Sequence, residues 1–480
     1  MTTAITVATV CLLLVLAGCD GGGTGGGEPT LPTPDPVPTG PAGSPTPQGS
    51  PVSTAQPTPQ PTAVSISDLV GPPLPGLEPG QARHQAELLE TGSGIRLPEG
   101  FTATVFHPGV GSARHLAVRR DGTVYVRLRV PSAGGGIVAL RDDDGDGRAD
   151  HEARFESSGG TGIALRDDQL WFSTDAAIFR IALEAFGPGP AGEPELMVDG
   201  FPRPGAHGAK SFVFGPDNAL YVNVGSPSNA CQEQDRVPGS PGLVDCPQLE
   251  RQAGIWRFDA ERPGQAATEG MRVGAGLRNA LALAAREQGA FSLHAVVHGR
   301  DQLDLIAPAL FDATANAGLP AEEMFRIDSG TDGGWPTTYW DGWQGARVLA
   351  PEYGGDGLMR PDADFFTEPE IVFPAHWAPN ALVFHEQAPF PARYHGAFVA
   401  FHGSWNRYPE RQAGYLIAFV AFDAQGPAGG WEIFADGFAA ITPIVEPADA
   451  RWRPTGLAVG PDGALYVADS KMGRIWRISR

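Results

Sequence analysis

Three groups of basic side chains, far apart in the chain, share one habit: each stands just ahead of a short apolar strand. His207 and Lys210 precede Phe212, Arg278 and Asn279 precede Leu281, and Arg451 and Arg453 precede Leu457. An imidazole, with its unperturbed pKa of about 6.5, is neutral and basic near neutral pH and can take a proton. A guanidinium offers a planar fork of donors that suits a carboxylate better than an ammonium does. Brought together, these residues would hold an anion beside a proton acceptor.

What would bring them together is a repeat. HGAKSFVFGPDNALYVNVG runs from His207 to Gly225, RWRPTGLAVGPDGALYVADS from Arg451 to Ser470, and ARHLAVRRDGTVYVRL from Ala113 to Leu128. Each is an alternating apolar strand, a Gly/Asp turn and a second strand. Related hairpin phrases occur at Ile163 to Phe172, Leu281 to Val297 and Leu382 to Phe401, and several are followed by a further strand signal. Six such phrases predict a radial array of antiparallel sheets, a six-bladed β-propeller, with Arg474 to Ile478 beside the strand near Phe101 to close the ring. In that architecture the leading ends of the inner strands surround one mouth of the central channel. His207, Arg278, Asn279, Arg451 and Arg453 then meet, and a basic cluster in an acidic protein asks for an anion.

HGAKSFVFGPD, GLRN, DGGWP at Asp332 to Pro336, HGSWNR at His402 to Arg407, and RWRPTGLAVGPDGALYVAD together resemble the pyrroloquinoline-quinone-dependent soluble glucose and sorbosone dehydrogenases. The resemblance covers roughly Leu97 to Arg480. It implies an enzyme that binds pyrroloquinoline quinone (PQQ) over the channel mouth and moves hydride from C1 of an aldose or sorbosone-type sugar to the quinone. By position, His207 corresponds to the family's catalytic base and Arg278 to the cation near the reactive oxygens. Asn279, Arg407, Arg451 and Arg453 correspond to cofactor-binding residues. The family also holds Ca²⁺ through backbone carbonyls, which places Gly299 and Arg300 as candidate ligands, since hard cations take oxygen. One position departs: where the glucose enzymes pair an aspartate with the histidine, this chain has Ser226. Either another carboxylate orients His207 or its basicity is lower.

A second cation candidate is read from the residues alone. Asp142, Asp144, Asp146 and Asp150 alternate around two glycines like the first half of an EF-hand loop, though the closing Glu is absent. The aromatic stretch from Asp328 to Gly357, with Trp335, Tyr339, Trp340 and Trp343, could stack on a sugar ring or pack on itself.

The formal charge of −21 leaves no basic excess for nucleic acid. An apolar run from Ala8 to Leu16 ends in Leu16-Ala17-Gly18-Cys19, which resembles a bacterial lipobox. Residues 1–19 therefore read as a lipoprotein signal with Cys19 lipidated, and 20–90, poor in large apolar side chains, as a disordered spacer. Residues 91–480 form the propeller. The protein is then expected outside the cytoplasm, touching a membrane only through its lipid anchor and passing electrons to a respiratory acceptor. In that compartment Cys231 and Cys246 favour a local disulfide worth about 3 kcal/mol. Two other functions fit a propeller: a Ca²⁺-dependent lactonase, and a carbohydrate- or protein-binding module without catalysis.

Overall fold

The computed structural model describes residues 85–202, 206–362 and 365–480. The expected signal, the lipidated Cys19 and most of the spacer lie outside them. The spacer's last residues do not: Leu88–Glu90 pairs with Arg96–Pro98, and the Gln85 amide both donates to Ile433 O (2.7 Å) and accepts from Ile433 N (2.8 Å).

Six sheets make six blades, each antiparallel through its first four strands, and two of them add a short fifth strand in parallel. Their first strands are Ala113–Val118, Ile163–Arg166, Phe212–Gly215, Ala282–Arg286, Pro379–His385 and Pro454–Val459, and these contact one another in a closed ring around the channel. Every one belongs to a hairpin expected from the sequence. The sixth blade runs Pro454–Val459, Leu465–Asp469, Ile475–Ser479 and then Thr102–His107, so that its outer strand comes from the opposite end of the chain. Closure by both termini removes the open edge a linear array would leave.

Blades pack face to face, so their middle strands are buried on both sides and read as continuous apolar runs rather than alternations. GAFVAF at Gly396–Phe401 is buried throughout. Trp171, Trp377, Trp431 and Trp476 are fully buried between sheets. Burying a large apolar side chain in this way contributes roughly 1.5–3 kcal/mol.

Strand direction alternates, so connections after the second and fourth strands emerge on the face where the first strands begin. Four of these are long: 225–253, 298–321, 402–415 and 436–453. A disulfide closes the first, joining Cys231 to Cys246 with Cα atoms 6.2 Å apart. Among the described residues no helix is long and apolar enough to cross a membrane.

Candidate active site

At the leading ends of the first strands a cavity of about 480 Å³ opens, with His207, Arg278 and Asn279 in its wall. The connection that carries His207 passes Gly225 at close range; a Cβ there would stand 2.6 Å from the His207 Cβ. Glycine is what lets the imidazole settle against the second strand. His207 Nδ1 lies 2.7 Å from Ser226 O and 3.1 Å from Ser226 Oγ. A carbonyl only accepts, so Nδ1 carries the hydrogen and donates, leaving the Nε2 lone pair free. Burial, and then the Arg278 charge, push His207 down to about 3. The ring is neutral over the whole working pH range, and the Ser226 backbone does the orienting that an aspartate would otherwise do.

Arg278 is buried and uses its whole fork: Nε donates to Asn229 O (3.1 Å), Nη1 to Gly299 O (2.7 Å), and Nη2 to Asn229 Oδ1 (3.0 Å) and Asp301 Oδ2 (2.8 Å). Burial opposes the charge of Asp301, yet Arg278, His376 and Arg236 hold its carboxyl well below the usual carboxylate range. Glu322, deeper in the wall, accepts from Gly299 N (2.7 Å) and Ala378 N (2.9 Å), and burial pushes it up to about 8.

Arg114, Arg129, His298, His376, His402, Trp405 and Asn406 also line the cavity. Arg129 is paired with Asp175. Arg114 has a long contact of 3.5 Å to Thr161 Oγ1, and burial and Arg129 lower it to about 10. His298 is pushed down to about 4 by burial and Arg278. Its Nε2 and the Oδ1 of Asn406 are buried without a partner. Sequence reasoning passed over Arg114, although it stands at the leading end of the first strand of its blade, as His207 and Arg278 stand just ahead of theirs.

Three expected cofactor ligands are not on this wall. Arg451 is exposed and lies over the Trp452 ring, 4.6 Å from its centroid, because Trp452 takes the inward position. Arg453 turns its fork onto the backbone, donating to His402 O (3.0 Å), Gly403 O (2.6 Å) and Ser404 O (3.3 Å). It shapes the wall from behind. Arg407 is buried further back, its guanidinium donating to Arg411 O (3.0 Å) and Ala375 O (3.2 Å). Lys210 is buried too, with Nζ donating to Gly208 O (2.6 Å).

Of the two carbonyl candidates, Gly299 lines the cavity, but its oxygen is engaged by Arg278. Arg300 points its side chain away to a buried pair with Glu352. Asp142, Asp144 and Asp146 bring one carboxylate oxygen each within 4.8 Å of the others. Asp150 instead accepts from Asp143 N (2.8 Å). Their loop follows a third strand and lies on the face opposite the cavity. Trp335 and Tyr339 are buried, the Trp335 indole donating to Asn229 O (2.8 Å), while Trp340 lies under Arg347. That stretch packs on the 225–253 and 298–321 connections, and Trp405 supplies the aromatic face at the cavity.

Fold and site together define a six-bladed propeller with a cationic, imidazole-lined cavity at its channel mouth. The chain belongs to the TrAA12-like family, whose sequence profile matches residues 95–344 and 361–480. It is 24% identical over 279 residues to the pyrroloquinoline quinone-dependent pyranose dehydrogenase of Coprinopsis cinerea. That match spans 50% of this chain and 37% of the relative. The fold is similar to the holo PQQ domain of that pyranose dehydrogenase (TM-score 0.62, 19% identity, covering 83% of this chain and 98% of the domain). It is also similar to the calcium structure of a Trichoderma reesei carbohydrate-active enzyme of family AA12 (TM-score 0.64, 17% identity, 83% and 98% covered).

Proposed function

We propose that this chain is an exported PQQ-dependent sugar dehydrogenase that oxidises C1 of an aldose or sorbosone-type sugar. The observation that carries the reading is the neutral His207, tautomer held by Ser226, inside a cavity shared with three guanidinium groups. The residues fit the cofactor. A cofactor carboxylate matches Arg114, the unpartnered His298 Nε2 and Asn406 Oδ1 offer further polar contacts, and the volume is of the size small-ligand sites have. When bound, the quinone supplies a two-electron hydride acceptor.

The chain's own residues do the rest. Arg278 and Asn279 position the ring system, with the Arg278 charge held in place by Asn229 and Asp301. His207 Nε2 takes the proton of the sugar's C1 hydroxyl as C1 loses hydride. Trp405, half exposed at the cavity, gives the pyranose an apolar face. The same reading includes Ca²⁺. The Gly299 carbonyl and Asp301 carboxylate are hard oxygens on one wall, and an ion there has to displace Arg278 from both.

Purified protein is to be loaded with PQQ, with and without Ca²⁺, and given aldoses and a redox dye. Sugar-dependent dye reduction is expected. Lactone hydrolysis without quinone would instead make it a lactonase, and sugar binding with neither activity a binding module. If chelation leaves quinone affinity unchanged, the calcium part is wrong. For the anchor, incorporation of a fatty-acid label that Cys19→Ala abolishes is expected; an unlabelled, released protein would refute it.

A further inference from the structure

The family profile matches as far as residue 344 and resumes at 361. Between these points lie a strand, Ala346–Leu349, which pairs with Thr338–Asp341, and a 3₁₀ turn at Pro351–Tyr353. That turn touches both connections that grip Arg278. The Tyr353 hydroxyl donates to Ala230 O (3.1 Å) and Cys231 O (3.2 Å), next to Asn229. Its ring lies so close over Gly242 that a Cβ there would stand 2.3 Å from Cζ, and Gly242 N donates to Glu352 O (2.8 Å). On the other connection, the Glu352 carboxylate pairs with Arg300.

Arg300 is the pivot of its segment. Gly299 and Asp301, on either side of it, line the active-site cavity and accept from Arg278, whereas Arg300 lines a smaller space of about 20 Å³ behind that wall. The Arg300 and Glu352 side chains are 3% and 1% exposed, yet Arg300 Nε and Glu352 Oε1 are buried without a partner. A buried ion pair with atoms left over stabilises a fold no better than apolar side chains of the same size, but a carboxylate that must meet a guanidinium fixes direction.

We infer that Glu352 is a positioning residue. Through Arg300 it sets how Gly299 and Asp301 face Arg278, and with Tyr353 it makes 345–360 a brace across the active-site wall. The effect on the quinone rests on the dehydrogenase reading. Asn229 Oδ1 also accepts from Asp301 N (2.9 Å), and Arg236 donates to the Asp301 carboxylate (3.1 Å), so removing the brace loosens the wall rather than abolishing it.

Two variants separate direction from stability. Glu352→Gln leaves Arg300 buried without a countercharge, and a lower melting temperature is expected. Arg300→Met/Glu352→Met replaces the pair by apolar side chains of similar size, so its melting temperature should return close to that of the native chain. In the quinone-free double variant, amide exchange of the peptide 298–302, read by mass spectrometry against 135–141 in a distant blade, should still be about tenfold faster than in the native chain. Quinone titration followed by absorbance should give about tenfold weaker binding, as when a group that orients a binding residue is lost. Native exchange or native quinone affinity in the double variant would overturn the inference, because a pair serving stability alone is replaced without loss. Should the double variant not fold, Tyr353→Phe carries the test: it unties only the first connection, about threefold weaker quinone binding is expected, and unchanged binding would overturn the brace. A native chain that takes up no quinone would sink the dehydrogenase reading, while exchange in the quinone-free proteins still decides the brace.

Discussion

Within the site, everything turns on which nitrogen of His207 bears hydrogen. Ser226 O settles it by accepting from Nδ1, so the imidazole is oriented without a carboxylate partner. Replacing His207 with Asn should lower kcat by about 10²–10⁴-fold, the usual worth of a general base, while quinone uptake, followed by absorbance, is kept. Loss of uptake would mean that His207 acts as a cofactor ligand. Arg453 makes a different case. Arg453→Lys keeps the charge but loses the fork that holds three carbonyls of the 402–404 wall, so weaker quinone binding is expected with the fold intact by circular dichroism. Unchanged binding would show that the wall holds its shape alone.

The element that pins the N-terminal side of the propeller is the short pairing of Leu88–Glu90 with Arg96–Pro98. Arg96 Nε donates to Asp436 Oδ1 (2.7 Å), and Asp436 is buried at 1% exposure. Arg96→Ala leaves that carboxyl without its cation, and a loss of about 3–5 kcal/mol in denaturant unfolding is expected. A loss below ~1 kcal/mol would mean that Asp436 takes up a proton cheaply and the clasp is dispensable. The disulfide belongs to this scale as well. Cys231→Ser/Cys246→Ser frees a loop whose residues Ala230 and Cys231 accept from the Tyr353 hydroxyl (3.1 and 3.2 Å), so destabilisation of about 3 kcal/mol is expected, with disorder of that loop by hydrogen exchange.

At the scale of the whole molecule, several histidines are folded neutral. His207 is pushed down to about 3, and His115 and His298 to about 4, chiefly by burial. Unfolded, each titrates near 6.5, so below that pH the unfolded chain binds protons that the folded chain refuses. Stability should fall as pH drops from about 6.5 toward 4. Glu322, raised to about 8, acts oppositely: its contribution is present at low pH and is lost as pH rises through 8. Melting temperature should therefore peak between about pH 6 and 7 and fall more steeply on the acid side, where these three, with His376 and His402 also lowered by burial, act against one. A flat acid limb would show that the imidazoles are hydrated.

Much of this was written along the chain. A hairpin phrase recurring six times dictates six blades, because strand, turn and strand signals are local, and the terminal phrases dictate a ring closed by both ends. Residues directly ahead of first strands, His207, Arg278 and Asn279, follow from the same logic, and Arg114 would have followed had it been applied evenly. Side-chain direction was beyond its reach. Whether Arg451 or Trp452 turns inward, and whether Arg453 and Arg407 grip an anion or the backbone, depends on competition between blades for one interior, and no single segment encodes that. Asp301 and Glu322 enter the cavity from within a long connection and a third strand, positions that no repeat marks. Sequence alone determined the architecture and the place where chemistry would gather, since periodicity acts between neighbours. Tertiary structure alone decided which charges face the cavity and which tautomer the His207 imidazole adopts, since burial and carbonyl geometry are set by contacts between distant blades.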